Sequence, residues 1–162
     1  MDICEFLDQQ NITYERHDHA AVYTVADVKK LAPELPGAET KNLFLRDGPG
    51  KKHYLVIVPA DKQVDLKNLA PKLGTKRVSF GSPDRLKKHL GIEPGAVSLF
   101  AVINDTNQKV ALFIDQEIWG SEAFQFHPLV NTATVIISKP GVERFLEAVS
   151  HPPQIVDVPV RN

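Results

Sequence analysis

Two apolar runs, Asn42–Leu45 and Tyr54–Val58, stand on either side of Asp47-Gly48-Pro49-Gly50, and this pairing constrains the fold more than any other feature of the chain. Gly and Pro at such a junction reverse the backbone, while β-branched and aromatic residues on both sides favour strands. The segment predicts a β-hairpin with Lys41 where it opens. A hairpin is stable only when a face of it is buried, so the flanking sequence must supply helices or further strands to cover it.

It supplies both. Asp2 can cap a short helix with Ile3, Phe6 and Leu7 on one face, after which Ile12-Thr13-Tyr14 alternates as an edge strand. Thr24-Val25-Ala26-Asp27 has the spacing of a capping box, with Val25, Val28 and Leu31 as the apolar stripe and Pro33 and Pro36-Gly37 as stops. Asp65 can cap a helix carrying Leu66, Leu69 and Leu73, its last turn disturbed by Pro71, and Lys76–Phe80 reads as a short strand. Ser82-Pro83-Asp84 starts a helix that Gly91 closes after Leu86 and Leu90. Val97–Ile103 and Val110–Ile114 predict two strands joined through Asn104–Gln108, and Ala133–Ile137 predicts another. Ser138 can cap a final helix built on Val142, Phe145, Leu146 and Val149, and the proline-rich tail from Pro152 is expected to lie over the surface. Helices at the start, middle and end of hairpin-linked strands predict an α+β fold: one domain over residues 1–162, with a central mixed, mainly antiparallel sheet flanked by helices.

Composition narrows the chemistry. A length of 162 residues with 43% hydrophobic content suits a single core. A net charge of -1 gives no global attraction to a polyanion, so any contact with nucleic acid must rest on a local basic face. The single cysteine, Cys4, excludes an internal disulfide and a thiolate-rich zinc site. His17 and His19 flank Asp18 but offer two ligands with no spaced third, so neither a metal nor another cofactor is expected. The amino end carries Asp2 and Glu5 and no apolar run approaches membrane-spanning length, which predicts a soluble, cytoplasmic protein without a membrane partner.

Three strings, in order, carry a resemblance. They are the TKNLFLRD core, Thr40 to Asp47; the segment Leu90-Gly91-Ile92-Glu93-Pro94-Gly95-Ala96-Val97-Ser98, leading into Val102-Ile103-Asn104-Asp105; and Phe126-His127-Pro128-Leu129-Val130-Asn131-Thr132-Ala133-Thr134. Together they resemble the YbaK/prolyl-tRNA-synthetase-associated editing family, an aminoacyl-tRNA deacylase family, over residues 23–157. The likeness is closest to its free-standing members, which remove alanine from tRNA for proline. Relatives usually place proline where this chain has Leu99 and often glycine where it has Ala101, a departure that touches specificity more than fold.

The resemblance implies a hydrolase that cleaves the ester of a mischarged aminoacyl-tRNA, alanyl-tRNA for proline first, without a metal. Its implied partners are the acceptor end of that tRNA, not DNA, and prolyl-tRNA synthetase. Lys41 matches the family's functional lysine; it can hold a terminal phosphate or ribose oxygen, or stabilise charge on the reacting carbonyl. Asn42 is a substrate-binding candidate, although strand alternation turns it to the face opposite Lys41. Backbone N–H groups around Gly91, Pro94 and Gly95 can donate to the substrate carbonyl, with Gly95 grouped with Lys41 and His127 in catalysis. Ser98 and Asn131 fall within the same matched strings as substrate-binding candidates. His127, held extended before Pro128, can point its imidazole into a pocket to meet an amino group, a ribose or a water. Arg85, Lys87 and Lys88, on the helix leading into the Gly91 loop, are the candidate tRNA contacts. The alternative is a non-catalytic module that binds aminoacyl-tRNA or an amino acid and docks on a synthetase, for which Leu99 and Ala101 leave room.

Overall fold

The computed structural model describes residues 2–21 and 35–161. The expected helix at 24–31, with its Lys29-Lys30 pair, lies outside the described residues. Helix α1, Ile3–Gln9, begins where the Asp2 carboxylate accepts the N–H groups of Cys4 and Glu5. It leads into β1, Tyr14–Asp18. The hairpin follows as β2, Ala38–Asp47, and β3, His53–Pro59. Its turn is tied by the Asp47 carboxylate, which accepts the N–H groups of Lys51 and Lys52.

Helix α2, Leu66–Lys72, is capped by Asp65 and holds Pro71 in its last turn; β4 is Val78–Phe80. Ser82 caps α3, Pro83–Leu90, and Gly91 ends it in the left-handed region at φ 66°. Strand β5, Val110–Asp115, runs into the single turn α4, Gln116–Trp119. Strands β6, Ala123–Phe126, and β7, Ala133–Ser138, precede α5, Lys139–Ala148, which Ser138 caps, and β8 is Gln154–Val156.

The strands form one sheet in the order β1-β7-β6-β2-β3-β5-β8, with β4 added against β2. Four pairings are antiparallel and three parallel, a mixed sheet. Strand β2 joins its two halves: Ala38 and Glu39 pair in parallel with β6, and from Thr40 onward β2 runs antiparallel to β3.

Both faces of the hairpin are covered. Phe44, Leu55 and Ile57 join a core with Phe100, Phe126 and Phe145, whereas Leu43, Leu45, Tyr54, Val56 and Val58 pack with Leu69 and Ala70 of α2. Side chains alternate along a strand, so Asn42 shares the face of Phe44 and Lys41 that of Leu43.

Two expectations need correction. Val97–Ile103 is not a strand: Leu99–Asn104 winds into a 3₁₀ helix, with Ser98 Oγ accepting the Phe100 N–H. Leu99, Phe100, Ala101 and Val102 are all buried, and a continuous apolar run has no period by which to tell strand from helix. No hairpin therefore joins this run to β5, which pairs in parallel with β3 and β8. The tail is also more than a surface strap. Strand β8 extends the sheet, Val158 is 1% exposed, and the Val158 carbonyl accepts from Lys62 Nζ at 2.9 Å.

Candidate active site

Where β2 changes partner from β6 to β3, the sheet opens a pocket of about 40 Å³, lined by Glu39, Thr40, Asn42, Ala60, Gln125, Phe126, His127 and Thr134. Thr40 and Asn42 reach it because they are two apart on one strand face. The Thr40 hydroxyl donates to the Gln125 carbonyl at 2.6 Å, and Asn42 Nδ2 donates to Thr40 Oγ1 at 3.2 Å. Asn42 Oδ1 accepts the Leu99 N–H at 2.9 Å, which fixes the orientation of the amide. A proline at 99 has no N–H to give, so the departure noted in the sequence adds a bond that holds Asn42.

His127 leaves the end of β6. Its Nδ1 lies 3.0 Å from the Ala133 carbonyl, an acceptor only, so Nδ1 carries the hydrogen and Nε2 is left as an acceptor in the neutral ring. Burial holds this imidazole below the ordinary histidine range, with the bond to Ala133 opposing the shift and His19 adding to it. The His19 ring centroid is 6.4 Å from that of His127. His19 Nδ1 is 2.8 Å from the Ala20 carbonyl, and its Nε2 is 2.8 Å from Thr134 Oγ1.

The loop from His127 to Thr132 is a shared wall. Its far side, with Leu129 and Asn131, faces Gly91, Glu93 and Gly95 across a groove of about 470 Å³. Leu129 is held at φ 66°, a conformation that costs a non-glycine residue energy and is maintained by its surroundings. Pro94 begins a 3₁₀ turn, Pro94–Ala96, beside this groove.

The expected residues therefore divide. Asn42 and His127 meet at the pocket, and Gly91, Gly95 and Asn131 line the adjoining groove. Lys41 points to the other sheet face, where its ammonium donates to the Lys62 carbonyl at 2.5 Å. Burial lowers its pKa, Arg161 adds to that shift, and Asp61 opposes it. Lys62 is itself pinned by Asp115 at 2.6 Å and Glu117 at 2.8 Å.

Ser98 lies elsewhere than a substrate contact would: it is fully buried and its hydroxyl caps the 3₁₀ helix. Arg85 is likewise engaged inside the protein. Its Nη1 donates to the Gly50 carbonyl at 2.8 Å and to His53 Nε2 at 3.0 Å, while Lys87 and Lys88 remain exposed and Lys87 sits 3.4 Å from Glu93. Among the described residues no three His, Cys, Asp or Glu side chains gather as a metal site.

Thr40, Gln125, Thr134 and His19 were not among the residues expected at the site. Thr40 was within reach of the alternation that placed Asn42. Nothing in the sequence joins His19 to Thr134, 115 residues away.

The fold is a mixed α+β sheet flanked by helices, with a small pocket where β2 passes from β6 to β3. The chain belongs to the aminoacyl-tRNA editing domain family, whose sequence profile matches residues 19–145. It is 40% identical over 142 residues to the prolyl-tRNA editing protein ProX of Acetoanaerobium sticklandii, covering 88% of this chain and 87% of that protein. It is 32% identical over 154 residues to prolyl-tRNA synthetase associated domain-containing protein 1 of Danio rerio, covering 94% and 83%. Among solved structures it resembles hypothetical protein APE2540, with a TM-score of 0.74 at 19% identity over 96% of this chain and 97% of that one, a likeness of fold.

Proposed function

We propose that this protein is a free-standing editing hydrolase whose substrate is an aminoacyl-tRNA, and that it removes alanine from tRNA for proline. Family membership and the 40% identity to a prolyl-tRNA editing protein support the reaction class. The observation that carries the site assignment is the pocket at the β2–β6 junction, where Asn42 and His127 converge.

The reaction requires water to add to the ester carbonyl and the terminal ribose oxygen to leave, giving alanine and uncharged tRNA. Asn42 Nδ2 has two hydrogens and commits one to Thr40, so the other can donate to the carbonyl oxygen as it gains charge. Neutral His127 presents Nε2 to a water or to the substrate. The small volume of the pocket, about 40 Å³, favours a small amino acid over the larger proline ring. The Gly91–Gly95 loop and Asn131 form the approach for the acceptor end, with Lys87 and Lys88 on its flank as phosphate contacts. Lys41 acts by position, its ammonium held on the opposite face of the strand that carries Asn42. Prolyl-tRNA synthetase is the proposed source of the mischarged substrate.

The test is to incubate the purified protein with alanyl- and prolyl-tRNA for proline and follow ester loss beside Lys41→Ala and Asn42→Ala. Rapid loss of alanine alone, slowed in both variants, is expected. Decay of alanyl-tRNA at the rate of buffer overturns the reading.

A further inference from the structure

The pocket's polar side chains have a definite hydrogen inventory. Thr40 has one hydroxyl hydrogen and gives it to the Gln125 carbonyl. His127 gives its Nδ1 hydrogen to the Ala133 carbonyl. In the neutral His19 ring, Nδ1 donates to the Ala20 carbonyl, which leaves Nε2 to accept the Thr134 hydroxyl hydrogen. Thr40, His127 and Thr134 have thus each spent their hydrogen on the protein and keep only acceptor lone pairs, one of those on Thr40 already accepting from Asn42. Glu39 also lines the pocket, at the start of the same strand.

We propose that this part of the pocket is an ammonium subsite that requires a free, protonated α-amino group on the aminoacyl moiety, and that His19 sets its polarity by holding the Thr134 hydrogen away from the ligand. The proposal rests on the editing function above and adds a condition to it: substrates are selected by the donor on the α-carbon as well as by side-chain size. An ammonium offers three N–H donors to surfaces that present acceptors. A charge-assisted hydrogen bond contributes more than a neutral one, and a group that cannot donate leaves the acceptors buried and unpaired. His19 touches no reacting atom in this scheme. It is a positioning residue acting through Thr134, as an outer partner orients a ligand-binding group.

The experiment compares alanyl-tRNA for proline with its lactyl counterpart, in which a hydroxyl of similar size replaces the ammonium, each corrected for loss in buffer. The wild-type protein is expected to prefer the alanyl ester by roughly tenfold to a hundredfold in kcat/KM. Thr134→Val and His19→Ala are expected to slow alanyl-tRNA about tenfold while changing lactyl-tRNA little, so that discrimination shrinks, and Thr134→Ser restores it. A purely structural role lowers both substrates by one factor. Equal corrected rates for the two esters, or an equal loss of both in Thr134→Val, overturn the ammonium subsite and leave the hydrolase standing. Absence of any corrected turnover of alanyl-tRNA instead overturns the hydrolase reading, in which case saturable protection of alanyl-tRNA but not lactyl-tRNA from buffer hydrolysis still tests the subsite.

Discussion

Two pairs of histidines lie in this molecule, and their difference separates a site from a core. His53 and His89 lie with ring centroids 4.1 Å apart, tilted by 36°, and His53 stacks on Phe44 at 5.6 Å. Arg85 closes the arrangement by donating to His53 Nε2. Burial, together with the charges of His89 and Arg85, pushes the His53 pKa down to about 4. His19 and His127 are set further apart, each anchored through Nδ1 to a backbone carbonyl, with the second nitrogen of His127 left as an acceptor beside the pocket. Burial lowers the pKa of His53 and of His127 alike. The structural ring has its remaining lone pair occupied by the protein, and the ring at the pocket keeps its own for a ligand.

The largest effect expected from this contrast is on catalysis. His127→Ala should lower kcat/KM for alanyl-tRNA on the order of a hundredfold, the scale of a lost acid–base or orienting group, with thermal unfolding little changed. His53→Ala should do the reverse, leaving kcat/KM within about twofold while lowering the unfolding free energy by roughly 2 kcal/mol through lost packing. Steady-state deacylation and thermal melts of the two variants check this together. If His53→Ala removes activity at unchanged stability, the division between the pairs fails.

The second effect is in pH and acts on stability. His53 has a folded pKa of about 4 against an ordinary 6.5, so the unfolded chain binds the proton first as the solution is acidified. The stability associated with a neutral His53 is thus complete above about pH 6.5 and is lost as pH falls toward 4, amounting to at most about 3 kcal/mol. His89, also lowered by burial, adds in the same direction. Denaturant melts across that window should show His53→Phe falling less steeply than wild type. Parallel curves would show that other groups carry the acid sensitivity.

These contrasts explain what could be read in advance. The hairpin, the caps at Asp2, Asp65, Ser82 and Ser138, and the stop at Gly91 were legible because each is a local rule with a residue-specific cause. Strand alternation also foretold that Asn42 and Lys41 part company. The 3₁₀ helix at Leu99–Asn104 was hidden because a segment buried on every side shows no period. The site was legible only as separate strings. That Leu99 N–H meets Asn42, or that His19 meets Thr134, depends on segments 57 and 115 residues apart being brought side by side, and no local pattern encodes that. The partners of Arg85 were hidden for a related reason: a basic residue on a helix looks solvated until a distant turn, here Gly50, is found against it.

The smallest effect follows from that last point, and it sharpens the line between basic residues that hold the fold and those that meet RNA. Arg85 spends its guanidinium on two internal acceptors, so Arg85→Met should cost about 1–2 kcal/mol of stability and leave the salt dependence of tRNA binding almost unchanged. Lys88 is exposed on α3 beside the groove that ends at Gly91. If its ammonium meets one phosphate, Lys88→Ala should leave stability intact and reduce the slope of log affinity against log salt by slightly less than one. Binding titrations over a salt series resolve the two cases, because a slope change is insensitive to the small loss of folded protein that Arg85→Met causes. A reduced slope in Arg85→Met with none in Lys88→Ala would invert the assignment and place the RNA over the β2–β3 turn instead of along the exposed side of α3.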